Sequence, residues 1–92
     1  MKYTPHNLQK IEKILYEANY VLRYERGSFQ SGYCIVEEKK VVILNKFLDV
    51  EGKINTLIEL TPQLKINSLL LSAEAQHTYK ELIKQHHSTS QN

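Results

Sequence analysis

The segment from Tyr20 to Asn45 constrains the fold more than any other part of the chain. Here aromatic and β-branched residues, which favour strands, occur together with glycines and turn residues. We predict a small three-stranded antiparallel meander, with strands at residues 20–24, 33–36 and 41–45. The reversals are expected at Gly27–Gly32, whose glycines permit positive φ angles, and at the charged residues Glu37–Lys40.

Two of the predicted strands, Tyr33–Val36 and Val41–Asn45, are apolar on both faces, because successive strand residues point in opposite directions. A sheet of this kind needs cover on both sides, from helices or from a second subunit. Since the sequence predicts only three helices for this purpose, we also predict a homodimer.

Helical patterns flank the strands. The first helix is predicted to begin at Pro5 with Thr4 as its N-cap, and it has apolar residues at three- and four-residue spacing. We place its end near Asn19, a residue that tolerates the left-handed conformation found at helix C-termini. A helix that continues to Tyr24 is the alternative.

Two more helices are predicted after the strands. Asp49 caps the second, which ends before Pro62 because proline disfavours helical conformation in the preceding residue. Ser72 caps the third, which runs from Ala73 to about Gln85. The predicted fold class is therefore α+β, in the order α-β-β-β-α-α, with the small sheet packed by helices.

A chain of 92 residues suits one domain, and its 41% apolar and 24% charged residues are typical of globular proteins. We assign residues 1–85 to this domain. Residues 86–92 include no apolar side chain, and we expect them to form a flexible polar tail.

The single cysteine, Cys34, has no partner for an internal disulfide, which favours a reducing compartment. The first residues, Met1–Lys13, include no apolar run of the kind a signal peptide needs, and the longest purely apolar run, Val41–Leu44, is too short for a membrane helix. We expect a cytoplasmic protein that is neither exported nor membrane-spanning.

The net charge of +2 arises from lysines and arginines interleaved with glutamates. This mixture argues against a basic face for phosphate backbones. Six tyrosines could stack on bases, but stacking requires a basic track beside exposed rings. Nucleic-acid binding is therefore the third of our functional alternatives.

The turn after the first strand contains the candidate binding residues. Arg23 and Arg26 are forked donors for phosphate or carboxylate, and glycine-rich backbone can present N–H groups to an anion. An ordinary turn, in which these arginines pair with nearby glutamates, explains the same pattern.

Phe29 at the tip indicates a contact surface if the loop is exposed. Cys34 could be a reactive thiol, although a cysteine in an apolar strand is typically a buried packing residue.

Nothing in the sequence predicts a metal, a cofactor or a catalytic residue. The four histidines lack ligand spacing, and the only aspartate, Asp49, is explained as a helix cap.

The segment R-Y-E-R-G-S-F-Q-S-G-Y-C-I-V-E-E-K-K-V-V-I-L-N-K, residues 23–46, resembles a segment that recurs in short uncharacterised bacterial proteins. The resemblance implies a hairpin, a strand and a helix, and no established activity. In layout, the chain is also similar to zinc peptidase domains of the ImmA/IrrE type. Their H-E-x-x-H helix has no counterpart here, because residues 50–60 contain no histidine, so peptidase activity is not implied.

These observations favour a small cytoplasmic module for protein interaction or regulation, without catalytic activity. The first alternative is a small-anion-binding or thiol-dependent enzyme that uses Arg23, Arg26 and Cys34.

Overall fold

The computed structural model describes residues 1–28, 31–36 and 39–90, with the backbone alone for 33–36 and 87–90. Helix α1, Pro5–Glu17, begins where the Thr4 hydroxyl accepts a hydrogen bond from the Asn7 N–H at 3.1 Å. It ends where Asn19 adopts a φ of 66°. The predicted start and end of this helix are confirmed, and the alternative of a helix to Tyr24 is wrong.

In the described part of the chain, three strands form one sheet: β1 (Val21–Glu25), β2 (Gly32–Val36) and β3 (Lys39–Asn45). Their order in space is β1-β3-β2, so β3 lies between the two strands that precede it. Strand β2 is antiparallel to β3, whereas β1 is parallel to β3. The predicted antiparallel meander is therefore wrong, because a meander would pair β1 with β2.

The physical reason lies in the polarity of the strands. The central strand has neighbours on both sides, and β3 contains the longest apolar run, Val41–Leu44. Strand β1, with the charged residues Arg23 and Glu25, takes an edge, where charged side chains remain in water. The described residues Gly27 and Ser31, between β1 and β2, both lie at the end of β3, where they contact Asn45.

Helix α2, Val50–Leu60, follows the sheet and begins as predicted at Asp49, whose carboxylate accepts a hydrogen bond from the Gly52 N–H at 2.7 Å. Two short 3-10 turns, Thr61–Gln63 and Ser68–Leu70, lead to the last helix.

Helix α3, Ala73–Ser90, has Ser72 at its start, as predicted, since the Ser72 hydroxyl accepts a hydrogen bond from the Ala75 N–H. It continues past Gln85, so the predicted end near that residue is too early. The division into a domain of residues 1–85 and a tail of residues 86–92 stays a prediction.

The three helices and the sheet share one hydrophobic core, in which α1 packs against both α2 and α3. Side chains without exposed surface lie at its centre, including Ile11, Ile14, Leu15, Val42, Leu44, Ile54, Leu57 and Leu82. Among the described residues, no helix is long and apolar enough to cross a lipid bilayer.

Tyr24 links β1 to α1 at the border of this core, because its hydroxyl donates a hydrogen bond to the Glu12 carboxylate. Burial raises the pKa of Tyr24 above its ordinary value of 10.0, and the hydrogen bond to Glu12 and the charge of Glu12 raise this pKa further. The unfolded chain therefore loses this proton at a lower pH than the folded protein. The stability that Tyr24 contributes through this difference is complete below about pH 10 and decreases as the pH rises above it.

We expect Glu12→Gln to lower the pKa of Tyr24 without returning it to 10.0, because the substitution removes the charge and leaves the burial. Absorbance titration of the tyrosines measures this change, since Tyr24 loses its proton at a higher pH than an ordinary tyrosine. Tyr24→Phe is the control, because it removes this late ionisation step. Raising the pH above 10 should lower the free energy of unfolding of the natural protein more than that of Tyr24→Phe. Urea unfolding at each pH measures this free energy. If Tyr24 ionises at the same pH in Glu12→Gln as in the natural protein, Glu12 does not raise the pKa of Tyr24.

Candidate functional site

The strand register divides the residues of β1 and β3 between two faces of the sheet. Leu22, Tyr24, Val42 and Leu44 belong to or pack against the hydrophobic core. The alternate residues point the opposite way, and we call this second side the outer face. Its residues in β1 and β3 are Val21, Arg23, Glu25, Lys39, Val41, Ile43 and Asn45.

The helices pack on the core side of the sheet. Every buried apolar residue of α1 and α2 belongs to the one core cluster, as do Ala75 and Leu82 of α3. Val41 is also buried, with 6% of its surface exposed, but it is not part of that cluster. Within the described chain, therefore, no helix covers the outer face with its buried apolar residues.

The outer face combines apolar side chains with one ion pair. Val21 lies beside Val41 in the register and is 40% exposed, while Ile43 lies beside Arg23 and is half-buried. The Arg23 Nη2 atom lies 2.8 Å from Glu25 Oε1, and both side chains are largely exposed. The guanidinium of Arg23 is thus occupied by a neighbouring carboxylate.

The structure places the sequence-predicted binding residues as follows. Arg23 is on the outer face, and Arg26 is exposed just after β1. The backbone of Cys34 in β2 pairs with Val41, so Cys34 and Arg23 are in the two strands that flank β3. The side chain of Cys34 and the whole of Phe29 lie outside the described residues.

Asn45, at the end of β3, is the residue that the sequence analysis missed. Its Nδ2 atom donates to the Gly27 carbonyl at 2.9 Å, and its backbone N–H donates to the Ser31 hydroxyl at 2.9 Å. Its Oδ1 atom accepts a hydrogen bond from the Phe47 N–H at 3.0 Å. Gly27 and Ser31 lie near the two ends of the predicted binding loop, Arg23–Gly32. Asn45 therefore holds both ends of this loop beside the end of β3. The sequence contained one indication of this role, an asparagine at the end of a predicted strand. The side-chain amide of such an asparagine often forms hydrogen bonds to nearby backbone.

Gly27 makes this loop geometry accessible. Its φ of 141° lies in a region that side-chain-bearing residues rarely adopt. A glycine at this position lets the chain leave β1 sharply and present its carbonyl to Asn45.

A cleft of about 460 Å³ lies next to Asn45, between the loop and α2. Its lining residues are Ser31, Asn45, Leu48, Thr56, Glu59, Leu60 and Gln63. Two of its polar side chains already have local partners, since Thr56 donates to the Gly52 carbonyl and Gln63 to the Glu59 carbonyl. Among the described lining residues, Glu59 is the one titratable side chain.

The described chain contains no group of three or more His, Cys, Asp or Glu residues placed to hold a metal ion. Comparison of the chain with protein-family models, with curated proteins and with solved structures finds no match.

We expect Asn45→Ala to loosen the loop and to lower the free energy of unfolding by about 0.5–1.5 kcal/mol, because two side-chain hydrogen bonds to backbone are lost. Hydrogen exchange should become faster at the amides of Phe47, which loses its acceptor, and of Lys46, which donates to the Glu25 carbonyl beside the loop. Asn55→Ala, at an exposed position of α2, is the matched control and should leave these amides unchanged. Identical exchange in Asn45→Ala and the natural protein would show that Asn45 does not hold the loop.

Proposed function

We propose that this chain is a small protein-interaction module without catalytic activity, and that it self-associates as a homodimer through the outer face. The observation that supports this most directly is the one-sided packing of the sheet. The buried apolar residues of the described helices belong to the core on one side, while Val21 and Ile43 remain partly exposed on the other.

The size of the outer face indicates how strong such a contact can be. Three strands about 4.8 Å apart, with five residues at about 3.3 Å each, cover roughly 240 Å². A stable interface buries about 800 Å² on each partner. The sheet alone is too small, so the dimer must also use the loop after β1 or be weak, and we expect dissociation in the micromolar range.

The charges of the outer face suit a second copy of the same chain. The exposed pair between Arg23 and Glu25 contributes little to the stability of one protomer. In a twofold dimer the same patch meets itself, so Arg23 of one protomer can pair with Glu25 of its partner. Exchange of these partners satisfies both charges around an apolar centre formed by the exposed surface of Val21 and Ile43.

The small-anion or thiol-dependent alternative has less support. It requires Arg23 to be free for a ligand, but its guanidinium lies 2.8 Å from the Glu25 carboxylate. An incoming anion would have to displace a neighbour that is held on the same strand.

We further propose that the module works in the cytoplasm. A single cysteine suits a reducing compartment, and no described helix can cross a membrane.

Light scattering on the natural protein should show an average mass that rises from monomer to dimer across micromolar concentrations. Arg23→Glu and Glu25→Arg should each weaken association, because each places like charges together across the twofold axis. The double exchange, Arg23→Glu with Glu25→Arg, should restore it, since opposite charges then face each other again.

Glu81→Arg is the matched control, because this exposed glutamate pairs with His77 on α3 and is not part of the sheet. It should leave the average mass unchanged. A natural protein that stays monomeric throughout the concentration series would refute the homodimer, and a double exchange no better than the single variants would refute the exchange of ion pairs.

A further inference from the structure

The open edge of β1 forms a second surface that differs from the outer face. Strand β1 has β3 on one side and, within the described chain, no strand on the other. An edge strand exposes backbone N–H and C=O groups that can pair with another strand. A groove of about 550 Å³ lies beside the first residues of this strand, lined by Tyr20–Leu22 and by Glu12, Tyr16 and Asn19 of the α1 region.

A second depression, of about 410 Å³, adjoins this groove at the N-terminal end of β1 and shares Asn19 and Val21 with it. Three exposed lysines line it: Lys39, Lys40 and Lys65. The ion pairs found among the described residues use other cations, namely Lys13, Arg23 and His77. The depression is therefore a concentration of positive charge at one end of the groove.

Exposed apolar side chains border both depressions. Tyr16 is 80% exposed, Leu70 is 50% exposed and Val21 is 40% exposed. Each of them lines the groove or the lysine depression. They make up half of the six large apolar side chains that are exposed in the described chain, and such clustering is typical of a contact surface.

We propose that the groove and the lysine depression together bind an extended peptide with an acidic C-terminal end. The peptide adds a strand to the open edge of β1, so backbone hydrogen bonds supply affinity and the groove receives alternate side chains. Its terminal carboxylate and last acidic side chains lie among Lys39, Lys40 and Lys65.

The lysines also determine the direction of the peptide. An antiparallel peptide has its C-terminus beside the N-terminal end of β1, where the lysines are, whereas a parallel peptide would bring its positive N-terminus there. Glu12 lines the groove but not the lysine depression, so it disfavours acidic residues before the C-terminal end of the peptide. The preferred peptide is therefore antiparallel, apolar or basic in its middle and acidic at its C-terminal end.

This site goes beyond the proposed self-association. Lys40, Lys65, Tyr16 and Glu12 are not part of the outer face, whereas Val21 and Lys39 belong to both surfaces. Either proposal can therefore fail while the other holds.

The test uses two pools of fluorescent octapeptides with the same composition. The first pool is random in Val, Thr, Tyr and Lys and ends in Glu-Glu with a free carboxylate, and the second has Glu-Glu at its N-terminus and an amidated C-terminus. We expect fluorescence polarisation to show tighter binding of the first pool, by about tenfold. Its negative charges lie at the C-terminal end, beside the lysines, whereas those of the second pool lie at the opposite end. Equal binding of the two pools, or no binding of either, overturns the proposal.

Variants locate the binding surface. Lys65→Ala should weaken binding of the first pool about two- to fivefold, the effect of one exposed ion pair. Lys80→Ala, which removes an exposed lysine of α3 that does not line either depression, should have no effect. If Lys80→Ala weakens binding as much as Lys65→Ala, the attraction is a general charge effect and the proposed site is wrong.

Amide NMR distinguishes strand addition from simple anion binding. On addition of the first pool, we expect shifts and slower hydrogen exchange at the amides of Val21–Glu25. Inorganic phosphate is the comparison probe. If phosphate and peptide both shift only the signals around the lysines and leave β1 unchanged, the depression is a small-anion site and the peptide proposal fails. Light scattering on the same samples reports self-association separately.

Discussion

The central position of β3 depends on the burial of Val42 and Leu44, which have no exposed surface and contact the core that the helices build. A strand with this much apolar surface gains most when both of its edges are paired and one face is covered. Strands β1 and β2 consequently become the two edges of the sheet. The chain therefore leaves β1 and enters β2 at the end of β3, where Asn45 forms hydrogen bonds to Gly27 and Ser31. The loop geometry thus follows from strand order.

The same arrangement leaves two surfaces of the sheet open in the described structure. One is the outer face, because the helices place their buried apolar residues on the opposite side. The other is the free edge of β1, beside α1. Both offer apolar side chains, backbone groups and charges, which are the groups that protein association uses. Neither has, among its described residues, a group of three or more His, Cys, Asp or Glu side chains that could hold a metal ion.

Local sequence patterns indicated some residues of these two surfaces but not the contacts between them. Arg23 was identified because an arginine near glycines is a visible local pattern, but its pairing with Glu25 required the strand geometry. Lys65 could not be grouped with Lys39 and Lys40, because more than twenty positions separate them in the chain. The role of Asn45 depends on Gly27, which lies 18 positions earlier in the chain. Contacts between residues far apart in sequence leave no local periodic signal.

The sequence by itself determined the starts of the helices at Thr4, Asp49 and Ser72 and the end of α1 at Asn19. These features depend on hydrogen bonds and backbone preferences within a few residues. It also determined that apolar strands lie between helices. Only the tertiary structure decided that β1 pairs in parallel with β3, which side of the sheet the helices cover and which lysines meet. The physical reason is that strand pairing and burial are settled by competition among distant segments for the same core, and the most apolar strand takes its centre.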